Sequence, residues 1–302
     1  MQRFVILLFS IFLFACGGGG GSSTLSSRQP AVPSSPVVET PSQNTSDYLA
    51  NPSYYSIVSY DNRPADHTIT YGEGPLQYGE LWLPEQSSVD VPLLVFVHGG
   101  CWSNQYRLGH TRAFASAVAD DYGVAVWSLE YRATGDVGGG WPGSYQDIVS
   151  ALGKLSSLRV YGIDTSRVAL AGHSAGGHLG LLAASQPEGS QLQAVIGLAA
   201  IVDFVAYAQG NSGCQLAARE FIGASYEQAS DAYNEANPTG RTILPPVILF
   251  NGGVDSIVDI EHPRSAGFDV IEIAEAGHFD WLHPETRGFA RLMEALSVLF
   301  AD

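Results

Sequence analysis

The chain is poor in cysteine, in positive charge and in long apolar runs, and each shortage removes a class of function. Three cysteines in 302 residues, Cys16, Cys101 and Cys214, leave no C-x-x-C pair. Neither a disulfide-built scaffold nor a zinc ribbon or thioredoxin-like redox motif is therefore expected. Lys and Arg number 14 against 30 Asp and Glu, a formal net charge of −16. A surface of that sign repels phosphodiester backbones and anionic lipid headgroups, so nucleic acid is not an expected partner. The P-loop, HExxH and EF-hand patterns are missing, and no two of the eight histidines stand four residues apart. No cofactor and no metal is expected on those grounds.

The apolar run at residues 4–15, behind Arg3, is twelve residues long. That suits the h-region of a signal peptide and is short for a membrane span. It ends in Leu13-Phe14-Ala15-Cys16, which resembles a bacterial lipobox, and the resemblance implies lipidation at Cys16. Of the thirty residues 17–46, twenty are Gly, Ser, Thr or Pro, a composition without a face to bury. The expected organisation is a lipoprotein signal peptide over 1–16, a Gly/Ser/Pro-rich flexible linker over 17–50, and a catalytic domain over 51–302. The expected address is the cell envelope, with attachment to the membrane through the lipid anchor alone. The resemblance to Gram-negative lipoproteins implies, from Gly17 in place of Asp after Cys16, sorting to the outer membrane; plain secretion and an uncleaved anchor are the alternatives.

Beyond residue 50, short apolar runs alternate with helix-period segments. Strands are expected at 79–83, 93–97, 124–129, 168–171, 195–198, 247–250 and 270–273, several of them continuously apolar, as in strands buried on both faces. Tyr145, Ile148, Val149, Leu152, Leu155 and Leu158 repeat with helical spacing, as do Phe289, Leu292, Met293, Leu296, Leu299 and Phe300, with Pro284 expected in the first turn of the last helix. The fold class is α/β, a mostly parallel sheet covered by helices on both faces. Residues 203–245 break the alternation and read as a small lid inserted after one strand.

The apolar segment 168–171 runs into Gly172-His173-Ser174-Ala175-Gly176, a G-x-S-x-G turn leading into helix-forming residues. The mechanism of a nucleophilic serine requires that context, because a tight strand-to-helix turn lifts the hydroxyl clear of its own backbone. Directly after the strand at 93–97 stands His98-Gly99-Gly100-Cys101-Trp102. With these two segments the chain resembles the α/β-hydrolase superfamily over residues 60–302. The HGG-x-W segment is similar to the oxyanion element of its hormone-sensitive-lipase-like, kynurenine-formamidase-like and feruloyl and acetyl-xylan-esterase-like branches. The resemblance implies that the backbone N–H groups of Gly100, Cys101 and Ala175 stabilise an oxyanion, with Gly99 a weaker candidate and His98 orienting the turn.

A serine needs a base to take its proton and a carboxylate to hold that base, in chain order Ser, acid, His for this fold. Asp255 follows the strand at 247–250 in a loop resembling the family's D-x-x-V, with Asp259 the weaker candidate. His278 follows the strand at 270–273 behind Gly277 and is the expected base. His173 and His178 are expected to pack or hydrogen-bond. His262 and His283 are expected in solvent, and His67 and His110 have no chemical context. Asp147 is expected to cap a helix or pair with a cation. Glu130-Tyr131-Arg132, residues 141–147 and Gly162-Ile163-Asp164 resemble the family's supporting loops. Trp102, Tyr106, Phe204, Tyr207 and Trp281 either line an acyl pocket or belong to the core. Two readings of Cys101 and Cys214 stay open: a disulfide tying the lid to the site, or two buried thiols.

The expected function is a cofactor-free serine hydrolase acting on carboxylic esters with short acyl or aryl groups, or on acylated glycans, through an acyl-enzyme. An arylformamidase with the same triad is the alternative within the class. A non-catalytic binding protein on the same fold is the alternative outside it.

Overall fold

The computed structural model describes residues 48–85 and 90–301. Cys16, the expected signal peptide and most of the expected linker lie outside the described residues. At its end, Leu49 pairs with the segment before the last helix, its N–H donating to Glu285 O at 3.0 Å.

The strands are β1 (His67–Thr70), β2 (Tyr78–Trp82), β3 (Val91–Val97), β4 (Ala125–Leu129), β5 (Ile163–His173), β6 (Ala194–Leu198), β7 (Val247–Gly252) and β8 (Ile271–Ile273). They form one sheet in the order β1-β2-β4-β3-β5-β6-β7-β8. The β1/β2 and β2/β4 pairs are antiparallel and every other pair is parallel. The helices are α1 (Tyr54–Ser59), α2 (Arg112–Tyr122), α3 (Gly143–Leu152), α4 (Ala175–Ala184), α5 (Phe204–Tyr207), α6 (Gly213–Ile222), α7 (Tyr226–Glu235), α8 (Glu261–Ser265) and α9 (Arg287–Leu299). This is the α/β-hydrolase fold.

Burial follows from composition. The central strands β4 and β6 are buried at every residue, and β3 at all but one. Two apolar cores flank the sheet. One is built with α3, α4 and aromatics of the 203–245 segment, the other with α2 and α9. Helix α4 is buried along its whole length, as its small and apolar sequence AGGHLGLLAA requires. Helix α9 buries Phe289, Leu292, Met293 and Leu296 and leaves Val298 in solvent.

Several boundaries differ from expectation. β1 is an exposed edge strand with no apolar run to announce it. β5 starts at Ile163, inside the segment read as a turn. The helix expected across 145–158 stops at Leu152, and Leu155 and Leu158 are buried instead by a 3-10 segment, Leu155–Tyr161. Pro284 is not in α9, because Thr286 caps that helix by accepting from Phe289 N at 3.2 Å. The segment read as a lid carries α5, α6 and α7 and sends Phe204, Tyr207, Phe221 and Tyr233 into the core.

Candidate active site

The parallel strands end together at one edge of the sheet, and the loops that leave them there carry the expected site residues. Ser174 sits between β5 and α4 with φ 55° and ψ −121°, a region costly for a residue with a side chain. Close approach of backbone makes this turn possible. A Cβ at Gly172 would lie 2.4 Å from Gly176 O, and one at Gly176 would lie 2.2 Å from Val97 O. Either substitution pushes α4 off the sheet. Ser174 N donates to Leu198 O at 2.9 Å, which fastens the turn to β6.

Asp255 and His278 come from the loops after β7 and β8. Gly253 N donates to Ile273 O and Val254 N to Ala276 O, at 2.9 and 3.1 Å, so the two loops are tied together. His278 Nδ1 then lies 2.8 Å from Asp255 Oδ2. Asp255 Oδ1 accepts from Ile257 N and Val258 N at 2.8 and 2.9 Å, which holds the carboxylate in place. Asp259 is spent elsewhere, accepting from Glu261 N at the start of α8. His173 donates from Nε2 to His278 O at 2.8 Å. Burial holds its pKa well below the ordinary value, so that donor persists as the neutral tautomer.

Gly100, Cys101 and Trp102 follow β3 with φ of 114°, 52° and 56°. The N–H groups of Gly100, Cys101 and Ala175 have no hydrogen-bond partner among the described residues. Gly100, Cys101, Ser174 and His278 line one cavity of about 190 Å³, together with Tyr54, Tyr106, His110, His173, Cys214, Ile257 and Phe279. His98 turns away from the cavity. Its Nδ1 is 2.7 Å from Gly99 O and its Nε2 is 3.1 Å from Glu130 Oε1, and its ring stacks on Tyr131. Asp147 is fully buried and paired with Arg132 at 2.6 Å, also accepting from Gln77. A wider cleft of about 640 Å³ lies beside the cavity, bordered by Asp203, Tyr207, Asp255, Asp259, Glu261 and His262.

Several side chains resolve readings the sequence leaves open, and His262 and His283 depart from expectation. Trp102, Phe204 and Trp281 are fully buried core aromatics, whereas Tyr106 lines the cavity. Tyr207 borders the wider cleft and donates to Ile257 O. His262 is not solvated. Its Nε2 accepts from Val202 N and Asp203 N, and burial lowers its pKa to about 4. His283 is buried too, packed edge-on against Tyr60. His110, without evident context in the sequence, is buried in the cavity wall. Cys101 and Cys214 are joined in a disulfide with Cα atoms 5.0 Å apart. Tyr54, Phe279 and Asp280 were not singled out from the sequence. Asp280 accepts from Gly277 N at 2.7 Å and steadies the His278 loop, and burial raises its pKa to about 6.

A family model described as BD-FAE matches residues 80–266. The chain belongs to the BD-FAE family. The matched span runs from β2 through α8 and includes the loop at 98–102, the turn at Ser174 and Asp255. It stops before His278. This BD-FAE chain is 26% identical over 243 residues to Esterase LipC of Mycobacterium tuberculosis, an alignment covering 71% of this chain and 60% of that protein. A kynurenine formamidase of Salmo salar is 30% identical over 113 residues, covering 37% of this chain and 35% of its own length. The chain thus spans well under two thirds of each of these relatives. Esterase B of Lactobacillus Rhamnosis superposes with a TM-score of 0.65 at 21% identity, over 80% of this chain and 88% of that one. At that identity the likeness speaks for the fold.

Proposed function

We propose that this BD-FAE chain is a serine hydrolase of carboxylic esters with short acyl or aryl groups, acylated glycans included, working through an acyl-enzyme. The observation that carries the reading is the 2.8 Å His278–Asp255 contact, with His278 in the wall of one cavity beside a serine held at positive φ on a strand-to-helix turn. Asp255 accepts a hydrogen bond from Nδ1–H of His278 and so leaves Nε2 as the base. Ser174 Oγ attacks the acyl carbon, its proton passes to His278 Nε2, and the carbonyl oxygen takes the negative charge. The free N–H groups of Gly100, Cys101 and Ala175 are the donors for that charge, worth about 3 kcal/mol each where such donors have been removed. Collapse breaks the ester C–O bond, and His278 returns the proton to the leaving alcohol. Water then attacks the acyl-serine by the same route, releasing the carboxylic acid and restoring the Ser174 hydroxyl. No hydrogen bond joins Ser174 to His278 among the described residues; catalytic contacts of this kind commonly tighten when substrate binds.

The small cavity with aromatic walls suits a compact acyl or aryl group, and the carboxylates of the adjoining cleft disfavour anionic substrates. The partial match to a kynurenine formamidase supports a second reading, hydrolysis of an arylformamide by the same residues. A non-catalytic binding role is the weaker alternative, since every position of the triad is filled. The lipobox-like segment ending at Cys16 supports placing the enzyme in the cell envelope on a lipid tether. The test is turnover of 4-nitrophenyl acetate, butyrate and decanoate, acetylated xylan, methyl ferulate and an N-formyl arylamine by the full chain and by Ser174→Ala. Serine-dependent turnover of one short ester is expected. Preference for the formamide selects the second reading, and equal rates in Ser174→Ala refute both.

A further inference from the structure

The segment between β6 and β7 grips the oxyanion loop at two adjacent residues. Cys101 is bonded to Cys214 in α6. Trp102, fully buried, donates from Nε1 to His178 Nδ1 at 3.1 Å, and His178 donates from Nε2 to Ala236 O, just past α7, at 2.7 Å. The Trp102 ring stacks on Phe221 of α6, with centroids 5.2 Å apart and planes at 25°, and meets Phe204 of α5 edge-on. The two gripped residues are the two of this loop that carry side chains at positive φ, 52° and 56°. Such a conformation persists where its surroundings over-determine it. A histidine suits position 178 because its rigid ring accepts at one end and donates at the other. Burial, which lowers its pKa to about 3, keeps the accepting nitrogen free of a proton.

We propose that His178 and the Cys101–Cys214 disulfide are positioning elements of the reaction, through which the 203–245 segment acts as the scaffold of the oxyanion loop. The proposal rests on the serine-hydrolase reading. Its consequence is that cutting either tie lowers kcat and leaves KM little changed, because the oxyanion forms only as the reaction proceeds. A dithiol such as dithiothreitol cuts the first tie. The disulfide takes up two electrons and two protons to become two thiols, and the dithiol closes to its cyclic disulfide.

The experiment compares the oxidised full chain, the same protein reduced by dithiothreitol, Cys214→Ser, His178→Leu and His178→Asn. In Asn the side-chain oxygen keeps an acceptor for Trp102. Expected is a fall in kcat of about tenfold or more on a 4-nitrophenyl ester for the first three altered proteins, KM moving less than about threefold. His178→Asn is expected to recover most of the loss that His178→Leu shows. Amide hydrogen exchange is followed in parallel at Ser103, Asn104 and Thr134, whose N–H groups bond to Gly100 O, Thr134 O and Trp102 O. Exchange is expected to accelerate there and to stay slow in β3 and β5, which shows that the proteins remain folded. Unchanged kcat with unchanged exchange at those three amides overturns the proposal. If wild type and Ser174→Ala turn over ester equally, the serine-hydrolase reading falls instead. The exchange data then decide the scaffold by themselves: acceleration supports it and its absence overturns it.

Discussion

His110, His178 and His262 are each held by burial below their ordinary value near 6.5, His110 and His178 to about 3 and His262 to about 4, and His173 lies well below it for the same reason. Between those values and about 6.5 the unfolded chain binds protons at these residues that the folded chain does not. Stability therefore rises with pH across that window and is complete above it. Asp280 has the opposite sign. Burial raises its pKa from 3.8 to about 6, so the folded state there binds the extra proton, and stability falls as pH rises through that narrower range. Four histidines outweigh one carboxyl. Thermal unfolding followed from pH 7.5 to 4.5 is expected to show Tm falling by about 5 °C or more. A flat profile contradicts the assignment of these rings as neutral and buried.

At the scale of elements, what could be read in advance follows from how directly a pattern maps onto geometry. Continuous apolar runs announced β3, β4 and β6, because a strand covered on both faces has no polar side to show. The turn at Ser174 was readable because its glycines stand where backbone touches backbone, and the loops of Asp255 and His278 because each follows a strand. β1 was not, since its residues face solvent and carry no alternation. Nor was the role of α1. The run 48–60 folds across the His278 loop, with Asn51 N donating to Asp280 Oδ1 at 3.4 Å, and sets Tyr54 against Tyr106, His110 and Phe279 at centroid distances of 5.6, 5.6 and 5.9 Å. Contacts that close over about 50 residues of chain, to Tyr106 and His110, and over more than 200, to Phe279 and Asp280, leave no local signal. Tyr54→Ala is expected to enlarge the cavity and raise the decanoate-to-acetate ratio of kcat/KM by about tenfold, in line with the value of a few buried methylenes. Tyr54→Phe is expected to leave the ratio unchanged. A ratio indifferent to Tyr54→Ala shows that α1 does not bound the acyl pocket.

Over the whole molecule, an eight-stranded sheet brings loops from β3, β5, β7 and β8 to one edge, and the segment between β6 and β7 packs onto the loop after β3. The net charge of −16 disfavours anionic partners. The claim on which the rest depends is that Ser174 is an activated nucleophile. The most direct measurement is the intact mass of the full chain after treatment with an alkyl fluorophosphonate, which phosphonylates a serine only where a neighbouring base has made it reactive. The account predicts a single adduct, mapped to the peptide bearing Ser174 and absent from Ser174→Ala. An unlabelled wild type, or a Ser174→Ala variant labelled as fast as wild type, contradicts it.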